Sequence, residues 1–389
     1  MTSSVEPIAA VELRNCLAPA KLNLFLHVLG QRDDGYHELE TVFELVDLCD
    51  RLHFSVRSDG AIMRRGGIHG LAHDNDLSVR AARLLAAASE TRHGVDIEIE
   101  KHIPMGGGLG GGSSNAATTL LALNRLWNIH WPVARLARLA IQLGADVPVF
   151  VHGTAALAAG VGEKLTPLTL PRQMYVVVAP PVTVPTAEIF SAPELTRDSK
   201  PLKILPLSSL TVEAIEKIGR NDMEGAAFAR YPAVQQALLE LNKAAGVVFK
   251  AAAAKEAKDA KAAAKAKAAA KAIAATKESA GQQDQPGLNS DINSESDNSA
   301  SDADELIEKP GAKWSTGRMS GSGGCVFIPA PTREQAEAIA ERVNKTEVGE
   351  ALVVSSIKVH PMRSWAFGRG LPKKVSKASN QGSGTEPAK

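Results

Sequence analysis

The chain has 389 residues, of which 44% are hydrophobic, and a formal net charge of +1 at pH 7. This length and apolar content suffice for about two domains or one large two-lobed unit with a substantial core. The balanced charge gives no reason to expect nucleic acid or an anionic membrane surface as a partner. Three scattered cysteines, Cys16, Cys49 and Cys325, are too few for a disulfide framework or a metal cluster, so we expect reduced thiols.

Residues 1–15 lack the basic start and apolar block of a secretory signal, and no stretch offers eighteen uninterrupted apolar residues for a bilayer. The expected protein is therefore cytoplasmic and has no membrane partner. Composition does not distinguish a monomer from a homodimer.

Two segments near the start predict a β-hairpin. Apolar residues at 22, 24, 26 and 28 have the spacing of a half-buried strand, and Lys21, Asn23 and His27 share its other face. A turn-rich segment, 30–37, separates this strand from a second strand-like pattern at 39–48. The hairpin should therefore carry an exposed aromatic residue at its tip.

Two amphipathic helices are predicted further along. The first covers residues 76–90 with Asp76 as its N-cap, and the second covers Val133 to Leu143 and ends at Gly144. Asp146 follows in a sharp connection before Pro148.

Between these helices, a strand at 95–103 runs directly into a glycine-rich loop, residues 104–115. Ser113 or Ser114 can cap the next helix, whose core face carries Leu120 and Trp127. Strand, glycine loop and helix therefore follow one another with almost no intervening residues. A flexible glycine linker is a poor explanation for this order.

The glycine loop predicts an anion site. Successive residues without a Cβ leave backbone N–H groups free to converge on a phosphate, and the start of the following helix adds a favourable dipole. The hydroxyls of Ser113 and Ser114 can bond phosphate oxygens or a metal ion.

Two familiar phosphate loops do not fit. The P-loop needs a lysine directly after its last glycine, and no lysine lies between Lys101 and Lys164. The dinucleotide fingerprint needs an acidic residue about twenty positions later, and none lies between Glu100 and Asp146.

Asp146, the first carboxylate after the loop, is therefore a candidate catalytic base, because phosphoryl transfer needs a group that accepts the proton of the attacking hydroxyl. Lys21 can supply balancing positive charge. On the residues alone, a turn-forming role for Asp146 and an ordinary strand position for Lys21 remain open.

Low-complexity sequence interrupts the second half of the chain. Residues 250–278 are mostly Ala and Lys, and residues 279–304 are rich in Ser, Asp, Asn and Gln. Neither can build a core. We expect a solvated, partly helical basic arm followed by a disordered acidic linker, and a disordered tail at 373–389.

Three separated motifs resemble the galactokinase, homoserine kinase, mevalonate kinase and phosphomevalonate kinase (GHMP) superfamily. They are the early strand at Lys21, the loop at 104–117 and a second glycine-rich stretch at 319–327. Further motifs at 34–38 and 144–148 resemble the branch whose substrate is a cytidylyl ester of methylerythritol. The resemblance spans about 19–249 and 311–360.

The resemblance implies an α+β, two-lobed GHMP kinase fold. Its N-terminal lobe, 1–170, resembles the ribosomal protein S5 domain 2-like fold, and its C-terminal lobe, 171–372, is ferredoxin-like and interrupted at about 250–310. ATP with Mg²⁺ is the implied cofactor. Its binding residues are Pro104, Met105, Gly106, Gly107, Gly108, Leu109, Gly110, Gly111, Gly112, Ser113 and Ser114, with Ser114 as a possible metal ligand.

The resemblance also assigns roles to the substrate side. ATP would phosphorylate the 2-hydroxyl of the small-molecule substrate, with Lys21 and Asp146 as the catalytic pair. Tyr36 and Phe190 would stack on cytosine while His37 reads its polar edge. The implied substrate-binding residues are Asn23, Tyr36, His37, Thr186 and Phe190.

Two other functions remain open at this point: a GHMP kinase for a different alcohol, and a catalytically silent nucleotide-binding regulator. A substrate without cytosine would have no use for Tyr36, His37 and Phe190. A silent protein would have no use for both Lys21 and Asp146.

Overall fold

The structure is a computed structural model that describes residues 11–66, 70–202, 212–280 and 316–368. Its strands are β1 (Glu12–Gln31), β2 (His37–Arg57), β3 (Ile62–Arg65), β4 (Gly94–Glu100), β5 (Ala156–Gly160), β6 (Lys164–Pro167), β7 (Met174–Ala179), β8 (Arg318–Met319), β9 (Val326–Ala330) and β10 (Glu350–Ser355). Its helices are α1 (Leu77–Ser89), α2 (Gly111–Leu126), α3 (Val133–Ala140), α4 (Val147–His152), α5 (Thr186–Ser191), α6 (Val212–Ile218), α7 (Glu224–Arg230), α8 (Pro232–Ala280), α9 (Arg333–Asn344) and α10 (Arg363–Phe367).

The first sheet is built on the predicted hairpin. Long strands β1 and β2 pair antiparallel along most of their length. On the other edge of β2, its C-terminal part pairs with β4, which is followed by β3, and its N-terminal part pairs with β5, which is followed by β6. The half-buried interpretation of β1 was wrong, because Lys21, Asn23 and His27 are buried as well as the apolar set. The apolar face packs on the second sheet, where Leu22 and Leu24 share a core with Tyr175. The polar face is covered by the two glycine-rich segments, since Gly110 and Gly321 lie against Lys21.

The predicted helices are present with shifted ends. The Asp76 cap is confirmed, since its carboxylate accepts a 2.7 Å hydrogen bond from the Ser78 N–H. The second helix, α3, ends at Ala140, before the predicted Leu143. The connection after it covers residues 141–146, and α4 begins at Val147, before the predicted apolar run at 149–151.

The predicted cap of α2 was wrong. Gly110, with a φ of +72°, is the N-cap, and Ser113 and Ser114 lie inside the first turn. The helix begins earlier because Gly110 is pressed against neighbours: a Cβ there would lie 2.9 Å from the Phe150 ring and 3.1 Å from Lys21. Only glycine combines that close approach with a left-handed backbone.

The second sheet is antiparallel, in the order β10, β7, β9, β8. Helices α8 and α9 pack on it and share its apolar core, to which Leu241 and Ile339 contribute. The chain then returns to the first sheet, where Met362 and Ala366 join the core around α2. The α+β class with two sheets is confirmed.

The Ala/Lys segment continues α8 as one helix to Ala280. Its residues 253–270 are exposed, as expected for a solvated arm, and alanine favours this state because it has the highest intrinsic helix propensity. The predicted acidic linker beyond residue 280 and the tail at 373–389 lie outside the described residues. Within the described ranges no helix is both long and apolar enough to cross a bilayer.

Candidate active site

Lys21 is the buried cation of the site. Its side chain is 3% exposed, and its Nζ lies 3.5 Å from the Asp146 carboxylate and donates a hydrogen bond to Asn23 Oδ1. The ammonium also lies 5.4 Å from the centroid of the Phe43 ring. A buried charge is costly without such partners. These contacts therefore hold one positive charge at a fixed point of the cleft.

Asp146 reaches this point from the first sheet's helical layer. It is the N-cap residue of α4, whose first turn contains Pro148, but its side chain makes no capping bond. The carboxylate is thus left for Lys21 and for the cleft, toward which it is 36% exposed. A carboxylate that is partly open and ion-paired on one side can accept a proton from a bound hydroxyl.

The glycine loop presents an unusual concentration of free donors. Gly106, Gly108 and Gly110 all have positive φ values. Within the described part of the chain, the backbone N–H groups from Gly108 to Ser113 donate no hydrogen bond to the protein. They lie at the N-terminal end of α2, where the helix dipole is positive. The loop is therefore a preformed anion cradle.

The second glycine-rich turn is hydrogen-bonded to the glycine loop. Gly324 N donates to Gly106 O at 3.2 Å, Cys325 N donates to Gly107 O at 3.1 Å, and Ser320 Oγ donates to Gly108 O at 3.3 Å. The carbonyl groups of the cradle are thus turned into the protein. Its N–H groups are left for a ligand.

Most of the sequence-predicted residues line one cleft of about 720 Å³ between the two sheets. The predicted residues that line it are Lys21, Asn23, Tyr36, His37, Gly106, Gly108, Gly110, Gly111, Gly112, Ser113, Asp146, Thr186 and Phe190.

A smaller cavity of about 320 Å³ opens on the other side of the same loop. Pro104, Met105, Gly107 and Leu109 line this one, together with Asn75 and Leu77. The loop thus separates the two cavities. Ser114 lines neither and is fully buried.

Aromatic residues line the same cleft as the loop. The His37 ring stacks on Phe190 with centroids 4.9 Å apart and planes 28° from parallel. Tyr36, at the hairpin tip, is 65% exposed, which confirms the predicted exposed aromatic. Thr186 Oγ1 lies 2.7 Å from Ser322 Oγ and links α5 to the second glycine turn.

Burial lowers the pKa of His37, and the nearby Arg197 guanidinium lowers it further. The Arg197 Nε group donates to His37 Nε2 at 3.2 Å. His37 is thus a neutral imidazole at pH 7, with one nitrogen occupied by the arginine.

Sequence reasoning missed several residues of the site. Thr41 Oγ1 accepts a 2.9 Å hydrogen bond from Asn23 Nδ2, and Asn221 Nδ2 donates to the carbonyl oxygens of Met319 and Gly321. Asn221 therefore positions the second glycine turn. No local motif marks these residues.

Ser114 is the residue that the sequence suggested as a metal ligand. Ser114 Oγ is buried and has no hydrogen-bond partner in the described part of the protein, at the first turn of the helix that carries the phosphate cradle. Among the described residues no cluster of three or more His, Cys, Asp or Glu side chains could hold an ion by itself. This suits Mg²⁺, which is commonly bound by few protein ligands and by substrate phosphates.

Comparison with known proteins agrees with this geometry. The family profile "GHMP kinases N terminal domain" matches residues 76–154, and "GHMP kinases C terminal" matches residues 303–348. The first match includes the glycine loop and Asp146. The second includes the glycine-rich turn that docks on it.

Individual relatives identify the branch of the GHMP kinases to which the chain is similar. The 4-diphosphocytidyl-2-C-methyl-D-erythritol kinase of Pseudomonas paraeruginosa is 56% identical over 226 residues, which are 58% of this chain and 78% of that protein. The enzyme of the same name from Thiobacillus denitrificans is 57% identical over 217 residues, 56% and 76% of the two chains. The crystal structure of a 4-(cytidine 5'-diphospho)-2C-methyl-D-erythritol kinase superposes with a TM-score of 0.60 at 31% identity, covering 89% of this chain and 99% of that one. The chain therefore belongs to the 4-diphosphocytidyl-2-C-methyl-D-erythritol kinase family of GHMP kinases and is a phosphotransferase that acts on an alcohol group.

Proposed function

We propose that this protein transfers the γ-phosphoryl group of ATP to the 2-hydroxyl of 4-diphosphocytidyl-2-C-methyl-D-erythritol, giving the 2-phosphate and ADP. The observation that carries the proposal is the position of the Lys21–Asp146 pair. This pair lines one cleft together with the anion cradle and the stacked His37–Phe190 pair. Phosphate donor and aromatic base would thus approach the same charged pair.

The nucleotide would occupy both sides of the glycine loop. The free N–H groups between Gly108 and Ser113 would hold the polyphosphate. The smaller cavity, lined by Asn75, Leu77 and Met105, has the apolar character that a nucleoside needs. This arrangement would direct the γ-phosphate toward Lys21.

In the reaction, the substrate 2-hydroxyl would attack the γ-phosphorus while the bond to the β,γ-bridging oxygen breaks. Asp146 would accept the hydroxyl proton, and the Lys21 ammonium would stabilise negative charge on the transferred group. Asn23 accepts a hydrogen bond from Lys21 and is itself held by Thr41, so the lysine is oriented before substrate arrives.

Mg²⁺ would be held by the ATP phosphates with the Ser114 hydroxyl as the protein ligand. It would supply charge neutralisation for the polyphosphate. The unpartnered Ser114 Oγ supports this part of the proposal.

The substrate end would bind the cytosine base. Phe190 and Tyr36 offer ring faces for stacking, and His37 offers a ring nitrogen at the edge of the cleft. The names of the relatives support a cytidine diphosphate ester as the molecule that fills this pocket.

An ADP-release assay tests the proposal. Purified protein with ATP and Mg²⁺ is offered the cytidylyl substrate, methylerythritol 4-phosphate, mevalonate and homoserine, and ³¹P NMR locates the new phosphate. We expect turnover of the cytidylyl substrate alone, with phosphate on its 2-oxygen. Faster turnover of another alcohol, or none of any, would contradict the proposal, and Asp146→Asn protein controls for contaminating ATPase.

A further inference from the structure

Arg197 joins the two sides of the aromatic pocket. Its Nη2 group donates to the carbonyl oxygens of Phe190 at 2.7 Å and Ala192 at 2.9 Å, and its Nη1 group donates to Leu195 O at 3.2 Å. These carbonyl groups lie at and beyond the C-terminal end of α5, where helix carbonyls lack intrahelical partners. The guanidinium is therefore anchored to the element that carries Phe190.

The remaining donor of the same guanidinium meets the hairpin. Nε donates to His37 Nε2 at 3.2 Å, across 160 positions of sequence. Since a guanidinium has no acceptor, His37 Nε2 must offer its lone pair. A neutral His37 then carries its proton on Nδ1.

The other ring nitrogen remains available to a ligand. His37 lines the cleft, and its Nδ1 makes no hydrogen bond within the described part of the protein. The stack on Phe190 fixes the plane of the ring. One N–H donor is thus held in one orientation at the pocket edge.

We propose that Arg197 is a positioning residue that locks His37 as an Nδ1–H donor and thereby makes the pocket select cytosine over uracil. The inference rests on the proposed function and adds the group that sets base selectivity. Cytosine offers an acceptor at N3, whereas uracil carries a proton there. A fixed donor bonds the first base and opposes the second.

Charge supports the same arrangement. Burial and the Arg197 guanidinium both lower the pKa of His37, so the imidazole stays neutral at pH 7. If the guanidinium were absent, burial alone would remain, and the pKa would rise toward its ordinary value. The tautomer would also lose its constraint, because nothing would then hold a lone pair at Nε2.

Two substitutions and a matched control test the proposal. Arg197→Met removes every donor and keeps the apolar stem, whereas Arg197→Lys keeps one charged donor. The control is Arg230→Met, because Arg230 pairs with Glu194 in the same loop without touching His37. Thermal unfolding checks that each variant is folded.

Calorimetry with CDP and UDP then reports base selectivity without requiring turnover. We expect unaltered protein and Arg230→Met to bind CDP about tenfold or more tighter than UDP, the scale of a hydrogen bond made or opposed. Arg197→Met should lose most of this ratio, and Arg197→Lys should restore part of it. In parallel, ¹⁵N NMR should show the His37 proton on Nδ1 in the unaltered protein and a mixture of tautomers, with a raised pKa, in Arg197→Met.

Each outcome has a meaning. An unchanged CDP to UDP ratio in folded Arg197→Met, or a proton on Nε2 in the unaltered protein, overturns the role of Arg197 and leaves the kinase proposal standing. The proposed function itself is contradicted if the unaltered protein binds neither nucleotide and turns over no cytidylyl substrate. If Arg197→Met does not fold, the NMR tautomer and the Arg197→Lys ratio still decide.

Discussion

Gly108 and Ser320 bring the two glycine-rich segments into direct backbone contact. A Cβ on Gly108 would overlap the Ser320 carbonyl oxygen and would lie 2.8 Å from Gly323 N, and Gly108 has a φ of +74°. Ser320 Oγ in turn donates to Gly108 O at 3.3 Å. The phosphate cradle and the turn that backs it are therefore a single unit, built from segments 212 positions apart.

We expect Gly108→Ala to separate these segments. The left-handed backbone alone costs about 1–2 kcal/mol for a residue with a Cβ, and the overlap with backbone atoms cannot be relieved by a rotamer change. Urea unfolding should show a loss of at least about 2 kcal/mol. Gly112→Ala is the matched control for stability: its Cβ would meet only Leu77 Cδ1 at 3.5 Å, and alanine favours the helix it would join. Equal stability of the two variants would contradict the interlocked arrangement.

Asp146→Asn should separate binding from chemistry. The amide keeps the shape of the side chain but cannot accept the hydroxyl proton as a carboxylate does. We expect turnover to fall by at least about 100-fold, the low end of general-base contributions. Because the ATP cradle is formed by backbone N–H groups, the Kd for ATP, measured by calorimetry, should change little. Near-normal kcat would remove Asp146 from the proton transfer.

The sequence predicted the parts of the site that are local. Strand, glycine loop and helix leave signals within a dozen residues, and the Lys21 face and Tyr36 tip follow from strand period and turn chemistry. Arg197 and Asn221 left no such signal, because each acts through one tertiary contact with a distant segment. The paired catalytic roles of Lys21 and Asp146 came from the family resemblance. The residues alone also allowed an ordinary strand lysine at position 21 and a turn-forming aspartate at position 146.

Errors at element ends have a similar cause. Ser113 and Ser114 looked like helix caps by local chemistry, but the close approach of Gly110 to Phe150 moved the helix start by several residues. The strand β1 was predicted to be half-buried, with its polar face open to solvent. In the folded protein the second sheet packs on one face of β1 and the glycine-rich segments cover the other. Local propensity does not encode what packs against a segment from elsewhere in the chain.

Tyr36→Ala offers a clean test of base stacking. Tyr36 is 65% exposed at a hairpin tip, so its removal should change stability by less than about 0.5 kcal/mol. One lost stacking contact is worth roughly 1 kcal/mol, which raises KM for the cytidylyl substrate about fivefold. KM for ATP should stay constant, and both values come from steady-state kinetics. Phe190→Ala should have the same direction, and an unchanged KM in both variants would contradict the proposed cytosine pocket.

Glu44 couples the contact between the sheets to pH. It lies fully buried on β2, accepts a hydrogen bond from Tyr175 Oη on β7, and has its pKa raised to about 7 by burial, against the opposing effect of hydrogen bonds from Tyr175 and Ser356. The folded protein thus retains a proton that the unfolded chain releases near pH 4.5. The contribution of Glu44 to stability is complete below about pH 4.5 and is lost as the pH rises to about 7.

Glu44→Gln should remove this dependence, because the amide is neutral at every pH. Urea unfolding of both proteins at pH 5 and pH 8 isolates the effect of the carboxyl group, since all other titrating groups are shared. We expect the free energy of unfolding of the glutamine variant, relative to the unaltered protein, to rise by on the order of 2–3 kcal/mol between pH 5 and pH 8. A difference that stays constant between the two pH values would show that Glu44 is already ionised in the folded protein at pH 5.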